Sequence, residues 1–277
     1  MTKSKFQTNS KSQNTNLRKL IDKKLAAYLP SEKKEPKMLH KAMRYSVFPG
    51  GKRVRPVILI EAAEACGGST KNAVPAASAI ELIHTYSLIH DDLPSMDDDD
   101  YRRGVLSCHK KFGVANAVLA GDALLTLAFE MIANEYSPGT GMEMVRELSC
   151  AIGSMGMAGG QALDIAKHKD IKTINRLKTA KLFEVSVVMG ALSAGASASM
   201  IEALRRYGLS LGMAFQAVDD SLDGESRVSR KAAEGLIAKA KNVLKIFGSR
   251  ADGLKEIANG IIRPLASLRG AKRRSNR

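Results

Sequence analysis

Apolar residues recur at spacings of three and four through long Ala-, Leu- and Met-rich stretches, while Val/Ile/Thr alternation over five or more residues is scarce. That periodicity selects α-helix and predicts an all-α fold. Gly, Pro and Asn/Ser clusters set the expected helices at 16–29, 35–46, 53–66, 71–92, 114–135, 140–158, 171–197, 199–222, 229–247 and 252–268. No Gly/Ser- or Pro-rich linker interrupts the series. One domain, 1–277, is therefore expected, with 1–15 as a disordered arm and 268–277 as a basic tail.

Charge divides the chain more sharply than composition does. The net charge is +15, made of +12 in residues 1–56, −8 in 57–226 and +11 in 227–277. The basic end Arg269–Arg277 reads as a solvated tail, and no helix-turn-helix, zinc-finger or stacking-aromatic pattern accompanies it, so no nucleic-acid partner is expected. Val185–Ile201 is free of charge but short and interrupted by four Ser and two Gly, and no membrane span is expected. Cys66, Cys108 and Cys150 form no Cys-x-x-Cys pair, and the N-terminal segment lacks the apolar core of a secretory signal. A reducing, cytoplasmic setting follows.

Two acidic clusters close apolar helices. In the first, Ile80–Gly104, Pro94 ends a helix whose last turn holds Asp91 and Asp92, where the negative end of the helix dipole disfavours carboxylates. A cation should compensate. An irregular turn at Leu93 to Met96 would fold Asp97 back beside Asp91. In the second, Phe215–Glu225, Asp219 and Asp223 are four apart on one helical face, with Asp220 beside them. One Asp run reads as a solvated loop. Two, each closing a long apolar helix, read as carboxylates facing each other across a helical cavity to bind Mg²⁺ and substrate phosphates.

Phosphate also needs positive charge held in place. Gly50-Gly51-Lys52-Arg53-Val54-Arg55-Pro56 supplies paired glycines and, three apart at a helix start, Lys52 and Arg55, while Arg102 and Arg103 follow the first acidic cluster. Acids and bases alternating in so short a segment suit a metal–diphosphate complex. Met155, Met157, Met189, Met200 and Met213 recur on helices and are expected in the core.

Six motifs in order resemble the trans-polyprenyl diphosphate synthases, and within them the bacterial-type short-chain farnesyl/geranylgeranyl diphosphate synthases. They are GGKRVRP, HTYSLIHDDLPSMDDDDYRRG, AVLAGDALLTLAF, GGQALDI, KTAKLF and FQAVDDSLD, and the likeness covers residues 17–223. It implies an isoprenoid-synthase helical bundle around a deep apolar cavity, usually a homodimer. By the resemblance, Asp91, Asp92, Asp97, Asp219, Asp220 and Asp223 hold about three Mg²⁺ on an allylic diphosphate. Gly51, Lys52, Arg55, His84 and Arg103 bind the diphosphate of isopentenyl diphosphate, and Arg102, Lys178, Thr179 and Gln216 contact the allylic substrate. Asp91, Asp92, Asp97, Arg102, Lys178, Asp219 and Asp220 carry the catalysis. His90 is expected to be structural.

The implied reaction is ionisation, condensation and elimination, which needs the departing diphosphate's charge neutralised and water kept out. Tyr86, with Ser87 beside it, lies five residues before Asp91 and would floor the cavity about 7 Å deeper along the helix, favouring a farnesyl product over geranylgeranyl. The sequence departs from the family after Asp223. There the lysine-bearing loop of the pattern is missing, and Asp223-Gly224-Glu225 runs almost directly into SRKAAEGLIAKAKNVLKIFG. That departure keeps open a catalytically impaired partner or binding subunit of the same fold. A terpene cyclase is disfavoured because Lys52, Arg55 and His84 would have no second diphosphate to hold.

Overall fold

A computed structural model describes the backbone of residues 3–49, 51–222 and 230–274, and the side chains of 15–49, 51–219, 221 and 231–263. The chain forms two compact units, Met1–Val57 with Lys71–Val145, and Ile58–Thr70 with Arg146–Arg277. Their boundaries fall inside helices rather than in linkers.

The first unit is built on α1 (Lys3–Tyr28), α2 (Lys37–Val47), the start of α3 (Val54–Ala65) and α4 (Thr70–Asp91). Leu17, Ile21 and Leu25 recur every four residues on α1 and are buried, which is why this part of the helix docks. The helix begins at Lys3, not at residue 16, so the segment expected as a disordered arm is helical in its backbone from Lys3. No Gly or Pro lies between Lys3 and Tyr28 to break the backbone ladder. α4 is buried on nearly every side, from Ala73 to Ile89. Pro75 interrupts its first turns, and the Tyr136 hydroxyl enters the gap, accepting from Ala76 N–H (3.1 Å) and donating to Asn72 C=O (2.6 Å).

After α4 comes a hairpin that helical periodicity does not predict. β1 (Tyr101–Arg102) and β2 (Val105–Leu106) pair antiparallel, Tyr101 with Leu106 and Arg102 with Val105. The two turn residues, Arg103 (φ 55°) and Gly104 (φ 81°), both have positive φ, as the primed two-residue turn requires. α5 (Cys108–Phe112) and α6 (Val114–Glu135) follow and pack with α2. Among the described residues α6 is the one helix long and apolar enough to cross a membrane, with a hydropathy of 1.4. It carries Asp122 and Glu130 and buries Ala117, Ala120, Gly121, Leu124 and Ala128 within the protein, as a core-facing helix does.

The second unit holds the end of α7 (Pro138–Ile152), then α8 (Met157–Ile165), α9 (Ile171–Ile174), a π-helical turn (Asn175–Ala180), α10 (Lys181–Ser193), α11 (Ala198–Leu222), α12 (Arg230–Val243), a 3₁₀ stretch to Ala251 and α13 (Asp252–Arg274). Two expected helices are divided. Gly153 and Gly156 stop 140–158 at Ile152, which leaves Met155 on the intervening turn, 81% exposed and not in the core. Met157 and Met189 are buried as expected. The π turn breaks 171–197. Gly208 and Gly212, four apart on α11, face α10 and the end of the π turn so closely that a Cβ would lie 2.7 Å from Glu184 Cα and 2.6 Å from Ala180 Cα. Backbones can meet only where those side chains are absent. The basic tail is helical in backbone to Arg274.

Glu61 on α3 is buried against Gly253 at the start of α13. Burial, with Glu64 and Glu256 nearby, lifts its carboxyl to about 7. The folded chain therefore holds this proton more tightly than the unfolded one, so the stability it contributes is full below the ordinary value of 4.5 and is lost as pH rises through 7. Glu61→Gln, uncharged throughout, should raise stability by about 1–3 kcal/mol at pH 8 and little at pH 5. Denaturant melts at the two pH values check it; equal effects at both would contradict the assignment.

Candidate active site

The Gly-Gly-Lys-Arg segment is anchored by the one of its cations to which the sequence assigned no role. Arg53, at φ 46°, turns its guanidinium inward and buries it, donating to Glu81 Oε1 (2.6 Å), Asp22 Oδ1 (3.0 Å) and the Val47 carbonyl (2.7 Å). Arg55, in the first turn of α3, then packs against α4, its Nη1 3.4 Å from His84 Nε2. His84 follows Glu81 by three residues, so both acceptors share one face of α4. Burial, with Arg55, Arg103, Arg53 and Arg102 around it, holds the His84 imidazole well below 6.5, and the neutral ring accepts from Arg55. Burial and the charge of Arg103 bring Arg55 down to about 10 against the pull of Glu81.

The hairpin turn closes on the same place. A Cβ at Gly51 (φ 153°) would sit 2.9 Å from Arg103 Cζ, so glycine there admits the guanidinium. Gly51, Arg55, His84 and Arg103 are thus brought together, with Lys52 exposed in the adjoining loop. Gly50 lies outside the described residues. This is a cationic, donor-rich surface whose charges repel one another, which an oxyanion would relieve.

At the end of α4 the chain folds back through Leu93–Met96. Asp97 N–H donates to Asp91 C=O (2.8 Å), and Asp98 N–H to Leu93 C=O (3.1 Å). Asp91 is half-buried and Asp97 exposed, whereas Asp92 is 2% exposed and already engaged. Arg102 Nε donates to Asp92 Oδ1 at 2.8 Å, and its Nη2 bonds both Asp92 and Asp99. Burial raises the Asp92 carboxyl above its ordinary value, and Arg102 pulls it back. The compensating cation expected for this helix end is Arg102. A cavity of about 30 Å³, room for about one water, lies beside the pair, lined by Tyr45, Thr85, Asp92, Arg102, Arg103 and Ser107 among others.

On α4 Tyr86 is half-buried and stacks edge-on against His90 (5.8 Å), and burial plus Asp91 push its hydroxyl up to about 12. The Ser87 hydroxyl donates back to His84 C=O (3.0 Å). His90 Nε2 lies 3.1 Å from Val118 C=O, a structural contact as expected.

In the second unit the π turn carries Lys178 and Thr179. Lys178 Nζ pairs with Asp164 Oδ2 (2.6 Å), and the Thr179 hydroxyl donates to Gln216 Oε1 (2.9 Å). Gly160 on α8 meets the Lys178 backbone, where a Cβ would collide with its nitrogen. Asp219 is exposed and follows Gln216 by three, on the same face of α11. The side chain of Asp220 and all of Asp223 lie outside the described residues, as does the departure from the family pattern at 223–229.

Sequence reasoning missed Arg53, Glu81, Gln161 and Asp164. The signal for the last two was present in GGQALDI, where Gln161 and Asp164 are three apart on α8. Gln161 is 7% exposed, and neither atom of its amide has a hydrogen-bond partner among the described residues.

The family model described as polyprenyl synthetase matches residues 36–242. A heterodimeric geranylgeranyl pyrophosphate synthase large subunit 1, chloroplastic, of Arabidopsis thaliana is 45% identical over 246 residues, which is 83% of this chain and 66% of that protein. The farnesyl diphosphate synthase of Bacillus subtilis is 45% identical over 219 residues, 75% of this chain and 73% of that one. A crystal structure of an FPP/GFPP synthase from Zymomonas mobilis superposes with a TM-score of 0.87 at 36% identity, over 92% of this chain and 99% of that one. The chain spans 62–66% of the length of four plant relatives it matches.

Glu81→Ala would leave the Arg53 guanidinium buried opposite Asp22 and one carbonyl. A loss of about 3–5 kcal/mol is expected, read as a lowered urea midpoint. Stability unchanged within 1 kcal/mol, roughly the size of a surface substitution, would remove Glu81 as the anchor.

Proposed function

Because this chain belongs to the polyprenyl synthetase family, we propose that it is a short-chain prenyltransferase, condensing isopentenyl diphosphate with dimethylallyl or geranyl diphosphate to give farnesyl diphosphate. The observation that carries the reading is the cluster of Arg55 on His84 and Arg103 on Gly51, cations held at fixed places beside an acidic helix end. Lys52, Arg55, His84 and Arg103 would take the isopentenyl diphosphate. The neutral His84 ring orients Arg55 without adding charge of its own.

The allylic diphosphate would be taken by Arg102, Lys178, Thr179 and Gln216, following the family's pattern. Thr179 and Gln216 present hydroxyl and amide oxygens that suit a developing allylic cation. Asp91, Asp92, Asp97, Asp219, Asp220 and Asp223 are the residues that would hold Mg²⁺, and oxygen-only donors fit that hard ion. Asp92 would have to share its carboxylate with Arg102. When bound, Mg²⁺ supplies charge neutralisation on the leaving diphosphate. Arg102 and Lys178 hold that diphosphate as its carbon–oxygen bond breaks, apolar walls exclude water, and the proton lost at the end passes to the released diphosphate, so no side-chain base is assigned.

The two units are read as parts of one catalytic domain, since the family match runs through both. Tyr86, half-buried above His90, supports a short cavity and the farnesyl product. Geranylgeranyl diphosphate is the runner-up, favoured by the likeness to the Arabidopsis geranylgeranyl pyrophosphate synthase subunit. A homodimer is proposed on the exposed apolar residues Val114, Val118 and Leu119 of α6, and a cytoplasmic location on the three unpaired cysteines.

Incubation with Mg²⁺, isopentenyl diphosphate and geranyl diphosphate should yield farnesyl diphosphate, and Asp91→Asn should slow it by about 100-fold or more. No prenyl product would defeat the reading. Tyr86→Ala should lengthen the product by at least one isoprene unit, seen by mass spectrometry; an unchanged product profile would free Tyr86 of that role. Leu119→Glu should shift the wild-type dimer to monomer in light scattering.

A further inference from the structure

The hairpin that carries Arg102 and Arg103 begins and ends on groups able to share a cation. One carboxylate oxygen from each of Asp98 and Asp100 and a ring nitrogen of His109 lie within 4.8 Å of one another. None of the three belongs to the six aspartates assigned to Mg²⁺. The acids are exposed, whereas His109 is 6% exposed.

The state of the imidazole is the second and independent observation. His109 Nδ1 lies 3.1 Å from the buried hydroxyl of Ser107, while Nε2 is buried with no hydrogen-bond partner among the described residues. A buried polar atom left so is costly to fold around. With Ser107 Oγ accepting from Nδ1–H, the bare Nε2 carries the lone pair, which is the arrangement of metal-ligating histidines.

We propose that Asp98, Asp100 and His109 bind one divalent transition-metal ion, of the Mn²⁺ or Zn²⁺ class, which ties together the two ends of the Arg102–Arg103 hairpin. The mixed donor set decides the class. An imidazole nitrogen favours a borderline ion over Mg²⁺, which prefers oxygen throughout, and two carboxylates balance its charge. Bonds of about 2.0–2.2 Å place tetrahedral ligand atoms about 3.4 Å apart, so small side-chain rotations from the present separation close the site. Asp100 Oδ1 already holds Lys110 Nζ at 2.6 Å, and its other oxygen serves the ion.

The consequence reaches the phosphate-binding surface through the chain. Ser107 N–H donates to Asp100 C=O (2.9 Å), so the ends of the hairpin are joined by backbone at one point. A metal link beside it closes the same loop a second time and narrows the positions open to Arg102 and Arg103. The ion acts as a clamp on two cations and takes no part in bond breaking.

The test uses the full chain, stripped with a chelator and titrated with Mn²⁺ alone, with pulsed electron paramagnetic resonance reading ¹⁴N coupling. The carboxylate sites have no nitrogen ligand, so this signal reports the new site whether or not the prenyltransferase reading holds. One nitrogen-coupled Mn²⁺ per chain is expected, displaced by Zn²⁺, abolished in His109→Ala and weakened more than about tenfold in Asp98→Asn and Asp100→Asn, with Asp91→Asn leaving it intact. The two asparagine variants change exposed residues and keep the test valid should His109→Ala fail to fold. Absence of nitrogen coupling, coupling that survives in folded His109→Ala or in both asparagine variants, or its loss in Asp91→Asn would overturn the proposal.

Discussion

Arg53 decides where everything around it sits. Its guanidinium is buried against Glu81 on α4, Asp22 on α1 and the last carbonyl of α2, so one cation stitches three helices. A charge taken out of water holds its place only while all its partners are present, and that demand fixes the loop of residues 51–53 and the start of α3 against α4. Arg55 reaches His84 because His84 stands one turn beyond Glu81 on the same helix face. The cationic surface is therefore a consequence of a buried ion pair in which none of its members takes part.

The second unit reaches the same end by different means. Its helices are held by close backbone approach at Gly208 and Gly212, and the side chains proposed for the allylic substrate, Lys178 and Thr179, come from a π turn, where the ladder is irregular. Inserting that turn brings Lys178 onto Asp164 and Thr179 onto Gln216. π turns recur at functional sites because they re-aim side chains without ending the helix. The glycine at 160 lets α8 approach that turn.

Much of this is legible in the sequence. Val114–Glu135 matches its expected span, and the return of Asp97 to Asp91 follows from Pro94 in a helix that must stop. The cationic compensation demanded by the α4 terminus is met by Arg102. Other features were hidden for identifiable reasons. The hairpin uses Arg103-Gly104, a weaker turn signal than Asn-Gly, inside strands too short to show alternation. Met155 has the composition of a core residue but sits between two glycines that end a helix. Arg53, with Lys52 before it and Arg55 two residues on, carries nothing in its letters to say that it is the one that pairs with Glu81 and Asp22.

The order of the helices, the placing of acid and base at their ends, and the family to which the motifs point are local properties, written in spacing and in the residues that stop a helix. Which of several identical charges is buried as a strut and which is left to meet a ligand is not local. It depends on the partners that distant segments bring, since the free energy of a charge is set by its surroundings and not by its neighbours in sequence. Tertiary structure alone separated Arg53 from Arg55, and engaged Asp92 while leaving Asp97 exposed.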